Sequence, residues 1–203
     1  EGDPVIKPTY GALRKLPTWA VYLAGLIPLA WIIYLTLYGG IGVDPVKGIE
    51  HRLGKVALWF LVGGLTITPI RRWLNLVKFR RAIGLLGFFY LTLHLTAWVW
   101  FDMGLLLSQA LADLVKRPYL TYGIIAFLLL IPLAITSNNA SIRKLGSKWR
   151  TLHMLVYPAV TLGVVHYLMQ MKVVSNEGWI WRAVLVGLLA LRWRKLSSMF
   201  TRR

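Results

Sequence analysis

The 203-residue chain contains no cysteine. That excludes disulfides, thiolate-bound zinc or iron–sulfur clusters, a thiol nucleophile and covalent CxxCH haem attachment. Acidic residues are nearly as scarce, with 7 Asp+Glu against 24 Lys+Arg and a formal net charge of +17. None of the acids falls inside a long apolar run, which argues against proton-coupled transport and carboxylate-based cation binding. No Walker P-loop, clear dinucleotide fingerprint or catalytic serine motif is present. Only 15% of residues are charged and 57% are hydrophobic, whereas a soluble domain carries about 25% charged residues. One water-soluble core does not accommodate that much apolar surface.

What the chain does have is long apolar runs, such as Ala20 to Tyr38 and Tyr122 to Ile135. A spanning helix needs about 20 mostly apolar residues. Six segments meet or approach that length: about 18–38, 55–70, 83–101, 120–136, 152–171 and 178–196. The expected fold is an all-α integral membrane protein, a six-transmembrane-helix bundle forming a single domain over residues 1–203. Residues 1–17 are polar and proline-containing. The run that follows exceeds a signal-peptide core, so it reads as an uncleaved first span.

Basic residues alternate between the two sides of such a bundle. One side collects 17 of the 24, in clusters such as Arg71, Arg72, Lys78, Arg80 and Arg81, or Arg143, Lys144, Lys148 and Arg150. The other side has seven, together with five of the seven acids. The positive-inside rule therefore places both termini in the cytoplasm. In a soluble chain the excess would point to nucleic acid. No basic stripe with interleaved aromatics stands outside the spans, so no nucleic-acid partner is expected. Trp19, Trp73, Trp149 and Trp193 fall near inner ends, and Trp98, Trp100, Trp179 and Trp181 near outer ends, as interfacial belts require. The longest loop, about 102–119, includes an apolar stretch from Leu105 to Leu114 that is expected along the outer interface.

Histidine is the chemistry left inside the membrane. His94 and His166 lie well within spans three and five, His153 at the inner end of span five, and His51 just outside span two. An imidazole in hydrocarbon needs a partner. For a single one, a hydrogen bond to a neighbouring helix suffices. Two at similar depth, roughly 18 Å and 24 Å from the inner ends at 1.5 Å per residue, point to axial bis-histidine ligation of a b-type haem. Zinc would want more ligands than this pair offers.

His153 raises the question of a second, inner haem. It lies about 20 Å along the helix from His166, but a straight helix leaves the two side chains roughly 140° apart. Pro158 between them is able to alter that angle. Span three has no second histidine. Four turns before His94 stands Arg80, a poor iron ligand but a good partner for haem propionates. Gly87 and Gly163 either admit a flat macrocycle or serve close helix packing. For Met154, Met169 and Met171, packing is expected rather than ligation. His51 caps a helix, contacts haem or lines an electron exit.

Four stretches carry a family resemblance: Asp44 to His51 continuing through Gly54 and Lys55; Arg80 to Leu95; Arg117 to Gly123; and Thr136-Ser-Asn with Lys144-Leu-Gly, Trp149, Leu152-His153 and His166-Tyr-Leu. The chain resembles the MsrQ (YedZ) family, which is itself similar to the transmembrane domain of ferric reductases and NADPH oxidases. The resemblance implies an inner-membrane b-type cytochrome with one or two haems, the electron-transfer subunit of an oxidoreductase system and not its catalytic subunit. It would draw electrons from the quinone pool or another respiratory-chain donor. Its partner would be a periplasmic molybdopterin reductase, MsrP, which repairs methionine sulfoxide in oxidised proteins. FMN is also implied by the resemblance alone. Carried over by position, His94, His153 and His166 match the haem histidines, and Arg80 stands where the oxidase relatives have an inner histidine. Two rival readings are a stand-alone ferric or oxygen reductase and a cofactor-free scaffold or transporter.

Overall fold

The computed structural model describes residues 15–71, 74–171, 176–184, 186–187 and 190. Among them every regular element is helical. Five helical stretches are long and apolar enough to cross a membrane: Thr18–Leu37, Pro45–Ile70, Val77–Asp102, Pro118–Ile135 and Ser147–Gln170. Of the expected sixth span, about 178–196, residues 176–184 are helical and most of the remainder lies outside the described residues. The polar segment 1–14, Arg72, Trp73 and Trp193 lie outside them as well.

The first stretch is two helices, α1 (Thr18–Gly25) and α2 (Ile27–Leu37). Pro28 has no amide hydrogen, so the ladder loses a bond at this point. The hydroxyl of Tyr90 fills the next step. It accepts from the Leu29 amide at 3.0 Å and donates to the Gly25 carbonyl at 2.6 Å, a side chain inserted where the i→i−4 bond would lie. Gly25 is in contact with Leu86, and a Cβ there would collide with it.

α3 (Pro45–Ile70) begins ten residues before the expected start of span two. Asp44 caps it by accepting from the Lys47 amide at 3.1 Å, and Pro45 occupies the first turn, a strong start signal. A hydropathy window misses these turns because they carry Lys47, Glu50, His51, Arg52 and Lys55. α4 (Arg80–Ala97) continues into a π-helical turn, Trp98–Asp102. There the Met103 amide reaches back five residues to the Trp98 carbonyl at 3.0 Å. α5 (Leu107–Lys116) is the apolar stretch of the long loop, with Leu107, Leu111 and Val115 exposed one turn apart. α6 (Pro118–Ile135) opens on a proline. After two short helices, α7 (Asn139–Leu145) and α8 (Ser147–Leu152), a 3₁₀ turn over His153–Leu155 leads into α9 (Val156–Gln170).

Two apolar clusters organise the packing. Leu58, Leu61, Val62 and Leu65 of α3 meet Leu130 and Leu133 of α6, Val160 and Val164 of α9, and Trp181. Leu53 and Ala57 of α3 meet Ile32 of α2 with Tyr90 and Ala97 of α4. α3 is thus buried from both sides. Its closest partner is α4, while α6 packs chiefly with α9. The bundle contains two tight helix pairs that face each other.

Candidate functional site

Between the two pairs lies an open-mouthed cavity, with about 990 Å³ of space between the atoms when the adjoining solvent at its mouth is included. α4 contributes His94 and α9 contributes His166. Their rings stand 6.2 Å apart between centroids, at 72° to one another. His94 Nδ1 lies 2.8 Å from the Glu50 carbonyl, and His166 Nδ1 lies 2.7 Å from the Tyr119 carbonyl. A carbonyl oxygen only accepts, so each Nδ1 carries the proton. In the neutral rings each Nε2 is left with its lone pair, the tautomer that metal-bound histidines adopt when the other nitrogen donates to a carbonyl.

The walls repeat. From α3 come Gly54, Ala57, Leu58 and Leu61, and from α6, with the same spacing, Gly123, Ala126, Phe127 and Leu130. All eight line the cavity, and the rings of Phe88 and Phe127 stack beside it at 5.5 Å. The polar side chains gather at one end: Glu50, His51, Lys55 and Gln170. One carboxyl oxygen of Glu50 is buried there with no hydrogen-bond partner. His51 lies within α3 rather than outside it, lines this end, and stacks on Tyr167 at 5.9 Å.

Lys55 ties this end to the last helical segment. Its Nζ lies 2.8 and 2.9 Å from the two carboxylate oxygens of Glu177. Burial pushes the Glu177 carboxyl up, but the Lys55 hydrogen bond and charge, with the Trp181 indole, hold it below its ordinary value of 4.5. A depressed folded value means that the pair stabilises the fold above the unfolded pKa and stops doing so as pH falls through the folded one. Both side chains are one-third exposed, so solvent screens the pair and the effect is modest. The thermal midpoint should fall on acidification below about pH 4.5, and Glu177→Gln should flatten that fall. An equal fall in both proteins would assign the acid sensitivity to another group.

His153 does not join the pair. It sits at the opposite end of the fifth stretch, with Trp149 stacked on its ring at 3.9 Å and Nε2 3.0 Å from the Thr136 hydroxyl. That hydroxyl is 2.6 Å from the Pro132 carbonyl, a contact that requires the hydroxyl proton. His153 Nε2–H therefore donates to Thr136, the opposite tautomer from the cavity histidines. Trp149 Nε1 donates to the Thr136 carbonyl at 2.9 Å. Arg80 begins α4, is exposed, and acts electrostatically on His153. Of the two glycines weighed from sequence, Gly163 lines the cavity. Gly87 instead packs on Leu61, whose side chain lies 2.8 Å from where a Cβ would stand. Gly54 and Gly123, which touch the histidine rings, are not singled out by histidine spacing. Among the described residues no three His, Asp or Glu side chains gather to hold a bare metal ion.

Residues 53–164 match the family described as ferric reductase like transmembrane component. The protein-methionine-sulfoxide reductase heme-binding subunits MsrQ of Brucella ovis, Brucella canis and Brucella melitensis biotype 2 are each 47% identical over 176 residues. That covers 86% of this chain and 80% of each relative. No solved structure matches. With five apolar helices of spanning length inside and around the matched transmembrane region, this is a multi-pass membrane protein. The aligned length takes in α3 to α9, and the chain belongs to the MsrQ family, within the ferric reductase-like transmembrane components.

Proposed function

We propose that the chain is a haem b-binding electron-transfer subunit of the bacterial inner membrane. It forms one domain of six spans with both termini cytoplasmic. It takes electrons from the quinone pool and delivers them to a periplasmic molybdopterin methionine sulfoxide reductase, MsrP. The family relationship supports the system, and one observation carries the cofactor: the facing pair His94 and His166. The two rings stand 6.2 Å apart, and with each Nδ1 bound to a carbonyl the free Nε2 atoms are the ones that would hold the haem iron. The remaining requirements fit as well. Apolar walls suit the macrocycle, and His51 and Lys55 at the polar end are the groups that would face its propionates.

When bound, haem carries one electron at a time, its potential set by ligands and burial. The protein's part is to hold both imidazoles by their Nδ1 protons and to exclude water. A second, inner haem would have to draw on His153, with Arg80 as a propionate partner, and FMN enters through the family alone. The deciding experiment is a dithionite-reduced minus oxidised spectrum of the purified protein, with haem and flavin quantified per chain. A b-type spectrum is expected, and the haem ratio decides between one and two. Mixing the reduced protein with MsrP and a methionine sulfoxide substrate should reoxidise it. A well-folded, haem-supplied preparation that stays colourless would overturn the reading in favour of a scaffold or transporter. Reoxidation by ferric chelate or oxygen but not by MsrP would favour a stand-alone reductase.

A further inference from the structure

Each cavity histidine rests on a glycine one turn beyond the carbonyl it binds. His94 bonds the Glu50 carbonyl and lies against Gly54; His166 bonds the Tyr119 carbonyl and lies against Gly123. A Cβ built on Gly54 would stand 3.0 Å from His94 Nδ1 and 3.1 Å from Cε1, and one on Gly123 would stand 3.0 and 3.1 Å from the same atoms of His166. In a helix the Cβ leans toward the N-terminus, so residue i+4 overhangs the carbonyl of residue i. Glycine leaves that carbonyl bare, and its second lone pair is open to a ring from the neighbouring helix. The same notch occurs on α3 and on α6, and each receives a histidine from its own partner helix.

We infer that Gly54 and Gly123 are positioning residues of the haem site: the missing Cβ atoms set the depth and rotation of the two axial imidazoles, one half-site per helix pair. The inference rests on the ligand assignment above. A methyl group in either notch must move the ring by several tenths of an ångström. The ring cannot yield freely, because its Nδ1–H is bound to the carbonyl and its Nε2 must reach the iron. The hydrogen bond then bends and the axial bond lengthens. Losing such an outer contact lowers metal affinity by about 10–100-fold, and a partial displacement belongs at the lower end.

The test compares Gly54→Ala and Gly123→Ala with Gly63→Ala in the full, haem-loaded chain. Gly63 lies on α3 nine residues after Gly54, half a turn out of phase, with nothing within 4 Å of its Cβ position. All three changes favour helix formation, so only contact with the ring distinguishes them. The two notch variants should lose haem about tenfold faster than wild type, show a high-spin component and bind carbon monoxide when reduced. Gly63→Ala should match wild type on all three readouts. If a notch variant does not accumulate, Gly54→Ala is made in a His94→Gly background, where it should weaken rescue by added imidazole about tenfold. Notch variants indistinguishable from Gly63→Ala, or undiminished rescue, would overturn the inference while leaving the ligands in place. Wild-type protein without low-spin, six-coordinate haem would remove the ligand assignment before any glycine is changed.

Discussion

Replacing either His94 or His166 with alanine is expected to empty the outer site of haem, lowering retention by on the order of 10–100-fold or more. The cavity offers no substitute on either side. The walls beside the two rings, Gly54, Ala57 and Leu58 on α3 and Gly123, Ala126 and Phe127 on α6, carry no ligating side chain. The remaining polar groups sit at one end, with His51 against Tyr167 and Lys55 held by Glu177. The loss should be symmetrical, because the two rings have the same tautomer, the same kind of carbonyl partner and the same glycine support. Pyridine haemochrome assay of each variant measures it. His153→Ala should retain this haem, since its ring faces Thr136 and Trp149 at the other end of the span. Full haem content and an unchanged spectrum in His94→Ala and His166→Ala would remove both residues as ligands.

The second large effect is expected at Gly87. α3 and α4 come close together where Gly87 meets Leu61. A Cβ there would stand 2.8 Å from the Leu61 side chain and 3.2 Å from its backbone nitrogen, and Gly87 is buried. The side chain has little room to turn away, because Leu61 is itself buried in the main apolar cluster. Gly87→Leu should therefore force the pair apart and destabilise the protein by about 1–3 kcal/mol or more. Gly84→Leu, three residues earlier on the same helix with nothing within 4 Å of its Cβ position, should be nearly silent. Thermal midpoints in detergent compare the two. The separation also reaches the site: α4 carries His94, α3 carries its notch, and Leu61 lines the cavity. Gly87→Leu should lower haem retention as well as stability. Equal midpoints for the two leucine variants would mean that the bundle accommodates the crowding elsewhere.

Composition alone decided the class of this protein. Among the described residues, five of the six apolar runs form helices long and apolar enough to cross a membrane, and the sixth lies largely outside them. Depth along the helices also allowed His94 and His166 to meet, because rise per residue is a fixed length in any helix. Helix starts were harder to place. α3 begins at an Asp-Pro cap, and the charged residues of its first turns hide it from hydropathy. The site residues show the same division. The stretches that carry the family resemblance include Glu50 to Gly54 and Tyr119 to Gly123, yet nothing in their spelling says that each holds an imidazole. Gly87 and Gly163 had two readings of equal merit in one dimension; packing assigned the first to a helix contact and placed the second on the cavity wall.

By itself, the sequence determined a multi-pass, all-helical membrane class, the positions of its histidines along their helices and, through similarity, its family. Those properties depend on transfer of apolar length out of water and on rise along a helix, both local to a segment. Only the tertiary structure decided that α3 pairs with α4 and α6 with α9, that a bare carbonyl faces each cavity histidine, and that His153 turns to Thr136 instead. These depend on which helix faces which, and a hydrogen bond or a 3 Å contact between helices exists only once their rotations and separations are set together.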